Sequence, residues 1–297
     1  MSRLDVVKAG ESRAVSLFAG LPAAENAQAE EVRRIIGRVG RQLARPARVA
    51  LIGEFNTGKS TLANALLRST MLPQSVVDHS RLPVLIHYAG KPSLSVEFAD
   101  GRRERVSWKD VDRIVMTGAS LLCLGLPVNR LKSFELVDTP GLATGQTEAD
   151  ELALAACQKS NIAIWCTAAM QAWKRTEMRV WESLPKRLRE NSILAVTYKD
   201  VLDGERDVSK LRARLRNETE HQFRTLVLVA ATEAAQCGNR KTACEREGLW
   251  QSSGGANFAA AVNSAVAFVL AHRLSSAERL LNQVTADLGP NGFAADH

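Results

Sequence analysis

The stretch GEFNTGKST, residues 53–61, decides how the rest of the chain is read. Gly53, Gly58, Lys59 and Ser60 match G-x-x-x-x-G-K-[ST]. In that pattern glycines let successive backbone N–H groups approach phosphates, and the helix that follows adds its positive dipole end. Lys59 is expected to reach the β- and γ-phosphates, and the Ser60 hydroxyl to ligate magnesium. The flanks fit: RPARVALIG before the loop is an apolar, β-rich run, and KSTLANALLRS after it is helical in pattern. The expected cradle is thus Gly53, Glu54, Asn56, Thr57 and Gly58, leading into Lys59, Ser60 and Thr61. Phe55 stands where a polar group would be useful for hydrolysis.

FELVDTPG, residues 134–141, is the second element. A strand would deliver Asp138 to the water shell of the magnesium, and Gly141 would offer its N–H to the γ-phosphate. Loss of that phosphate would release the loop, which is a switch. The third element is ILAVTYKD, residues 193–200. A carboxylate at Asp200 can accept from both the N1–H and the exocyclic amine of guanine, which adenine cannot answer. Leaving such a buried group unpaired costs about 1–3 kcal/mol. The usual guanine motif is Asn/Thr-Lys-x-Asp. Here Tyr198 holds the Lys position, with Lys199 displaced by one, and Tyr198 can instead stack on the base. After the run TLVLVA, Ala230 and Ala231 fall where guanine-nucleotide proteins often place Ser-Ala, whose backbone N–H meets guanine O6.

The 297 residues, 45% of them hydrophobic, can bury a sizeable core. The most apolar run, 258–271, is 14 residues long and contains Asn263 and Ser264. A bilayer crossing takes about 20 apolar residues, so no transmembrane segment is expected. The start lacks the pattern of a signal peptide, and five cysteines without ligand spacing read as thiols in a reducing cytoplasm. The net charge of +7 favours phosphate-rich partners. No aromatic-interleaved RNA-binding signature accompanies the arginine clusters, which disfavours nucleic acid.

Strands are expected at 84–88, 94–98, 102–106, 134–137, 161–167, 193–197 and 225–230, with Asp100-Gly101 as a hairpin turn. Helices are expected at 22–45, 147–159, 171–189, 205–223 and 257–288. Alternation of the later elements argues for an α/β three-layer sandwich on a mostly parallel sheet, with helical N- and C-terminal extensions. The expected division is a helical segment 1–45, a nucleotide domain 46–235, a polar loop 236–256 and a C-terminal helix 257–297 packed with the N-terminal helices.

Between Lys59 and Asp138 lie 78 residues, more than a minimal nucleotide domain uses. RVALIGEFNTGKSTLANALL, this interval, VDTPGL and the flanking helices together resemble the dynamin superfamily, especially bacterial dynamin-like GTPases. The resemblance covers roughly residues 30–235. It implies a P-loop GTPase that binds GTP and GDP with Mg2+, and a first switch in which Ser80, before Pro83, supplies a hydroxyl to the metal; Asp78 and His79 depart from that pattern. Some relatives carry a Gln at the position of Phe55 to place the attacking water, which Phe55 cannot do. Cation-dependent relatives imply a K+ ion ligated by the Asn56 amide, its site completed when two nucleotide domains meet. Lys174 and Arg175 are further cations that could act in trans. The resemblance also implies a nucleotide-dependent homodimer, or pairing with a related subunit. It further implies a cytoplasmic protein with peripheral contact to an anionic membrane. A ribosome- or RNA-associated GTPase and a nucleotide-dependent scaffold with little hydrolysis stay open as alternatives.

Overall fold

The computed structural model describes residues 27–68, 82–107, 109–110, 118–142, 147–237 and 242–288. Ser80, Asp78 and His79, the expected first-switch residues, lie outside these. Helix α1 (Ala27–Ala44) leads to strand β1 (Ala47–Ile52), the cradle, and helix α2 (Lys59–Leu67). Strands β2 (Val84–Tyr88), β3 (Ser93–Phe98), β4 (Arg103–Arg105), β5 (Ala119–Leu126) and β6 (Phe134–Asp138) follow. Then come α3 (Glu148–Gln158), β7 (Ile162–Ala168), α4 (Arg175–Ser183), α5 (Lys186–Arg189) and β8 (Ser192–Thr197). The remainder is α6 (Gly204–Glu218), β9 (Thr225–Leu228), α7 (Ala231–Gln236), α8 (Ala243–Ser252) and α9 (Gly255–Leu288).

The described strands form one nine-stranded sheet in the order β4-β3-β5-β2-β6-β1-β7-β8-β9. The pairs β1–β7, β7–β8, β8–β9 and β2–β5 are parallel; β2–β6, β3–β4 and β3–β5 are antiparallel. The β3–β4 hairpin turns at Asp100-Gly101, where Gly101 takes φ 83°. Every residue of β8, and every residue of β7 except Ala168, is buried, so both faces of the central sheet are covered. On one face Ala50, Ile52, Trp165, Leu194 and Val196 pack with Trp181, Leu188, Val208 and Leu215. Trp165, Trp173, Trp181 and Phe223 interlock there, with Trp181 and Phe223 stacked at 4.3 Å.

Three expectations need correction. Strand β5, ASLLCLGL, was not anticipated, because periodicity does not distinguish a continuous apolar run as strand or helix. The helix expected over 171–189 is broken: Leu184 and Pro185 are extended, since proline disfavours a helical conformation in the residue before it. The expected polar loop 236–256 contains α8, opened by a capping box in which Thr242 and Glu245 each accept the other's backbone N–H.

The chain divides into two compact units, residues 48–265 and residues 1–47 with 266–297. In the second unit, Ile36, Val39 and Leu43 of α1 and Val266, Leu270 and Ala277 of α9 are buried. Arg273 donates from Nη1 to Arg45 O at 2.7 Å. By length and composition, Gly255–Leu280 is a helix that could cross a membrane, whereas the 14-residue run 258–271 by itself is too short to do so. Core helices meet the same criterion, and Phe258, Val262, Ala265 and Leu270 are buried.

Candidate functional site

The cradle leaves β1 at Gly53, where a Cβ would lie 2.2 Å from Cys166 O; only glycine fits against β7 there. Gly58 takes φ 74°, a left-handed conformation that glycine adopts without penalty, and starts α2. Lys59 is 7% exposed, and its Nζ donates to Gly53 O (3.2 Å) and Glu54 O (2.8 Å). Burial holds its amine pKa below the usual lysine range, against the pull of Asp138 and Glu54. A buried ammonium folded onto carbonyls of its own loop is positioned to exchange them for phosphate oxygens. Thr57 Oγ1 donates to Glu54 O at 2.8 Å, which braces the loop.

Beside Lys59, Ser60 Oγ donates to Asp138 Oδ2 at 2.6 Å, joining the first motif to the second. Asp138 Oδ1 is buried without a hydrogen-bond partner among the described residues. Burial raises the Asp138 pKa to about 6, opposed by the Ser60 hydrogen bond and the Lys59 charge. A hydroxyl and an unsatisfied buried carboxylate oxygen are the hard oxygen donors that magnesium takes. Gly141 lies against the cradle: a Cβ there would sit 2.6 Å from Phe55 Cα. Next to it, Leu142 N donates to Gly53 O (3.0 Å), and Phe55 N donates to Leu142 O (3.3 Å). Thr61 lies in the first turn of α2.

On the other flank, Thr197 Oγ1 donates to Thr57 O (2.8 Å) and reaches Thr167 O (3.2 Å). Tyr198 takes φ 56°, and its hydroxyl donates to Asn56 O at 3.0 Å. Lys199 Nζ donates to Ser252 O at 2.9 Å, and Asp200 is exposed on the short turn 199–201. Ala230 N donates to Ser253 O (2.8 Å), and Ala231 begins α7. The turn 252–255 therefore packs against this end of the sheet. Its glycine at 254 faces Leu228 O so closely that a Cβ would lie 2.2 Å away.

Sequence reasoning missed the support beneath the cradle. Glu177 is buried, accepting from Trp165 Nε1 (3.1 Å), Thr167 Oγ1 (3.0 Å) and Lys174 N (2.8 Å). Burial raises its pKa, and those hydrogen bonds oppose the rise. Lys174, considered above as a cation acting in trans, instead pairs in cis: its Nζ lies 3.0 Å from Glu54 Oε2, and Thr176 Oγ1 donates to Glu54 Oε1 at 2.7 Å. Burial pushes the Glu54 pKa up, but these hydrogen bonds and the Lys174 charge outweigh it and leave it lowered. No local pattern marks Glu177, whose partners lie on another strand and at the start of its own helix. Thr197, by contrast, fills the first place of the Asn/Thr-Lys-x-Asp pattern. A cleft of about 220 Å³ lies between residues 54–57 and 167–177, with Phe55 (74% exposed) and Met170 (64%) at its edge.

Residues 49–198 match the family model described as the Dynamin family. The chain is 30% identical over 195 residues to Dynamin-like protein 2 of Campylobacter jejuni, covering 63% of this chain and 31% of that one. It is likewise 30% identical over 161 residues to the isoniazid-induced protein IniC of Mycobacterium tuberculosis, covering 52% and 32%. The chain thus spans about a third of the length of these curated relatives. Among solved structures, one from an oligomerised bacterial dynamin pair, described as sensing and tethering membranes over long range, aligns with TM-score 0.70 and 14% identity. That alignment covers 96% of this chain and 46% of the other. The bacterial dynamin GTPase LeoA aligns with TM-score 0.55 and 13% identity, covering 96% and 47%.

Proposed function

The chain belongs to the dynamin family, and from that premise we propose that it binds and hydrolyses GTP, with turnover raised by dimerisation across the nucleotide face. The observation that carries this reading is the Ser60–Asp138 contact of 2.6 Å beside buried Lys59, with Asp138 Oδ1 unsatisfied. Ser60 would ligate magnesium and Asp138 would hold its water shell; the ion supplies electrophilic stabilisation of phosphate charge when bound. Ser80 is proposed as a further hydroxyl for the same ion. Lys59 compensates phosphate charge, and backbone N–H groups of residues 53–58 orient the phosphates. Gly141 reports the γ-phosphate to the second switch. Asp200, Tyr198, Lys199 and Ala231 form the base side, and Asp200 selects guanine.

Phe55 leaves the cradle without a side chain that orients water. The exposed Asn56 amide is therefore assigned to a K+ site that a second copy completes. Exposed Phe55 and Met170 at the cleft edge support an apolar contact on that face. Residues 46–235 act as the nucleotide domain, coupling nucleotide state to assembly at the surface of an anionic membrane. GTP turnover per molecule, measured against protein concentration in potassium and in sodium with ATP as control, tests the reading. Turnover that rises with concentration, needs potassium and ignores ATP is expected. Tight GTP binding with flat, negligible turnover would make the protein a switch or scaffold instead.

A further inference from the structure

Thr197 and Tyr198 stitch the loop bearing Asp200 to the phosphate cradle at two consecutive carbonyls. Thr197 Oγ1 donates to Thr57 O at 2.8 Å, and Tyr198 Oη donates to Asn56 O at 3.0 Å. The first bond is buried and belongs to the floor of the site. The second is different, because it reaches the exposed tip of the cradle from a half-buried residue. Both of its ends hold a left-handed backbone conformation, φ 59° at Asn56 and 56° at Tyr198. Residues with a side chain adopt that conformation at a free-energy cost, so something must hold them there. Lys199 does not compete for the cradle: its Nζ donates to Ser252 O at 2.9 Å and lies 4.0 Å from Glu205.

A peptide unit is planar, so the carbonyl of Asn56 and the N–H of Thr57 turn together. A donor fixed on that carbonyl therefore fixes the direction of the N–H on its other side. Cradles of this kind bind phosphate through the directions of successive N–H groups. We propose that Tyr198 is a positioning residue whose hydroxyl holds the Asn56–Thr57 peptide in its phosphate-receiving orientation and couples it to the base-side loop. This rests on the nucleotide reading above and deepens it. A residue that the sequence assigns to base stacking acts on the phosphate side, through the backbone of the cradle.

Tyr198→Phe keeps the ring and removes the hydroxyl, whereas Tyr198→Lys returns a donor on a side chain of similar reach. Equilibrium titration with Mg-GDP and with a non-hydrolysable GTP analogue is expected to show affinity falling about three- to tenfold in the Phe variant for both nucleotides, the loss of one hydrogen bond. The Lys variant should recover most of that loss. Full affinity in the Phe variant alongside weakened binding in Tyr198→Ala would make Tyr198 a base-stacking group and overturn the proposal. Amide hydrogen exchange on the nucleotide-free protein separates this failure from failure of the nucleotide reading. Residues 54–58 should exchange faster in the Phe variant and at the wild-type rate in the Lys variant. Unchanged exchange in the Phe variant overturns the clamp whatever the protein binds, while a wild type that binds neither nucleotide overturns the nucleotide reading alone.

Discussion

A Cβ built on Gly141 would lie 2.6 Å from Phe55 Cα, so the second motif runs backbone to backbone against the first. The packing is tightened by Leu142 N donating to Gly53 O and Phe55 N donating to Leu142 O. Gly141→Ala must push the two loops apart. Overpacking of this kind costs about 1–3 kcal/mol. The expected result is a lowered urea midpoint and single-turnover GTP hydrolysis slowed by about tenfold or more, with GDP affinity less affected. Hydrolysis at the wild-type rate would remove Gly141 from the switch.

Lys59 should separate binding from stability. Among the described residues its buried amine donates hydrogen bonds to the carbonyls of Gly53 and Glu54, and burial makes it costly to keep charged. Lys59→Ala should therefore shift unfolding free energy by no more than about 1 kcal/mol. Triphosphate affinity should fall by about 100-fold or more, since a charge-assisted contact to the phosphates is lost. Calorimetric titration and urea melts on the same preparation check both halves. Unchanged affinity would sink the cradle assignment.

Asp138 sets a pH dependence. Its pKa in the fold, about 6, lies above the ordinary 3.8, because burial favours the neutral carboxyl. Its stabilising contribution is therefore present below about pH 4 and lost as pH rises through about 6. That loss approaches about 3 kcal/mol. Without metal or nucleotide, Asp138→Asn should be more stable than wild type at pH 7.5, and the advantage should vanish near pH 4. Added Mg2+ with GDP should stabilise the wild type more at pH 7.5 than at pH 5, because the ion requires the carboxylate. Melts of wild type and variant that run parallel across that range would contradict the shift.

Glu177→Ala strands three donors at once: Trp165 Nε1, Thr167 Oγ1 and Lys174 N. Buried donors without acceptors are expensive, so unfolding free energy should drop by about 3 kcal/mol. Tryptophan fluorescence should change in the native state as well, because Trp165, Trp173 and Trp181 share one cluster. A denaturation midpoint within error of wild type would show that water satisfies these groups.

The parts that announced themselves in sequence are local ones. The cradle from Gly53 to Ser60 and the Asp138–Gly141 turn are short, because phosphate binding needs backbone N–H groups and glycines at fixed offsets. Strands β2, β3, β6, β7, β8 and β9 follow apolar runs bounded by turn residues, and the hairpin at Asp100-Gly101 follows its turn chemistry. Strand β5 and helix α8 escaped notice. An apolar run and a polar run carry no period that distinguishes them, and only their neighbours in space decide what they become.

What the sequence by itself determined is the pattern of glycines, lysine and hydroxyls from Gly53 to Ser60 and the sheet that presents it. Tertiary structure alone decided what those residues touch. It turned Lys174 from a candidate cation in trans into the cis partner of Glu54, and placed buried Glu177 beneath the cradle. It sent the Tyr198 hydroxyl to Asn56 O and the Lys199 amine to Ser252 O. The physical reason is that a hydrogen bond forms within about 3 Å in space, whatever the separation along the chain. Tyr198 and Asn56 lie 142 positions apart, and only the parallel register of β1, β7 and β8 brings them together.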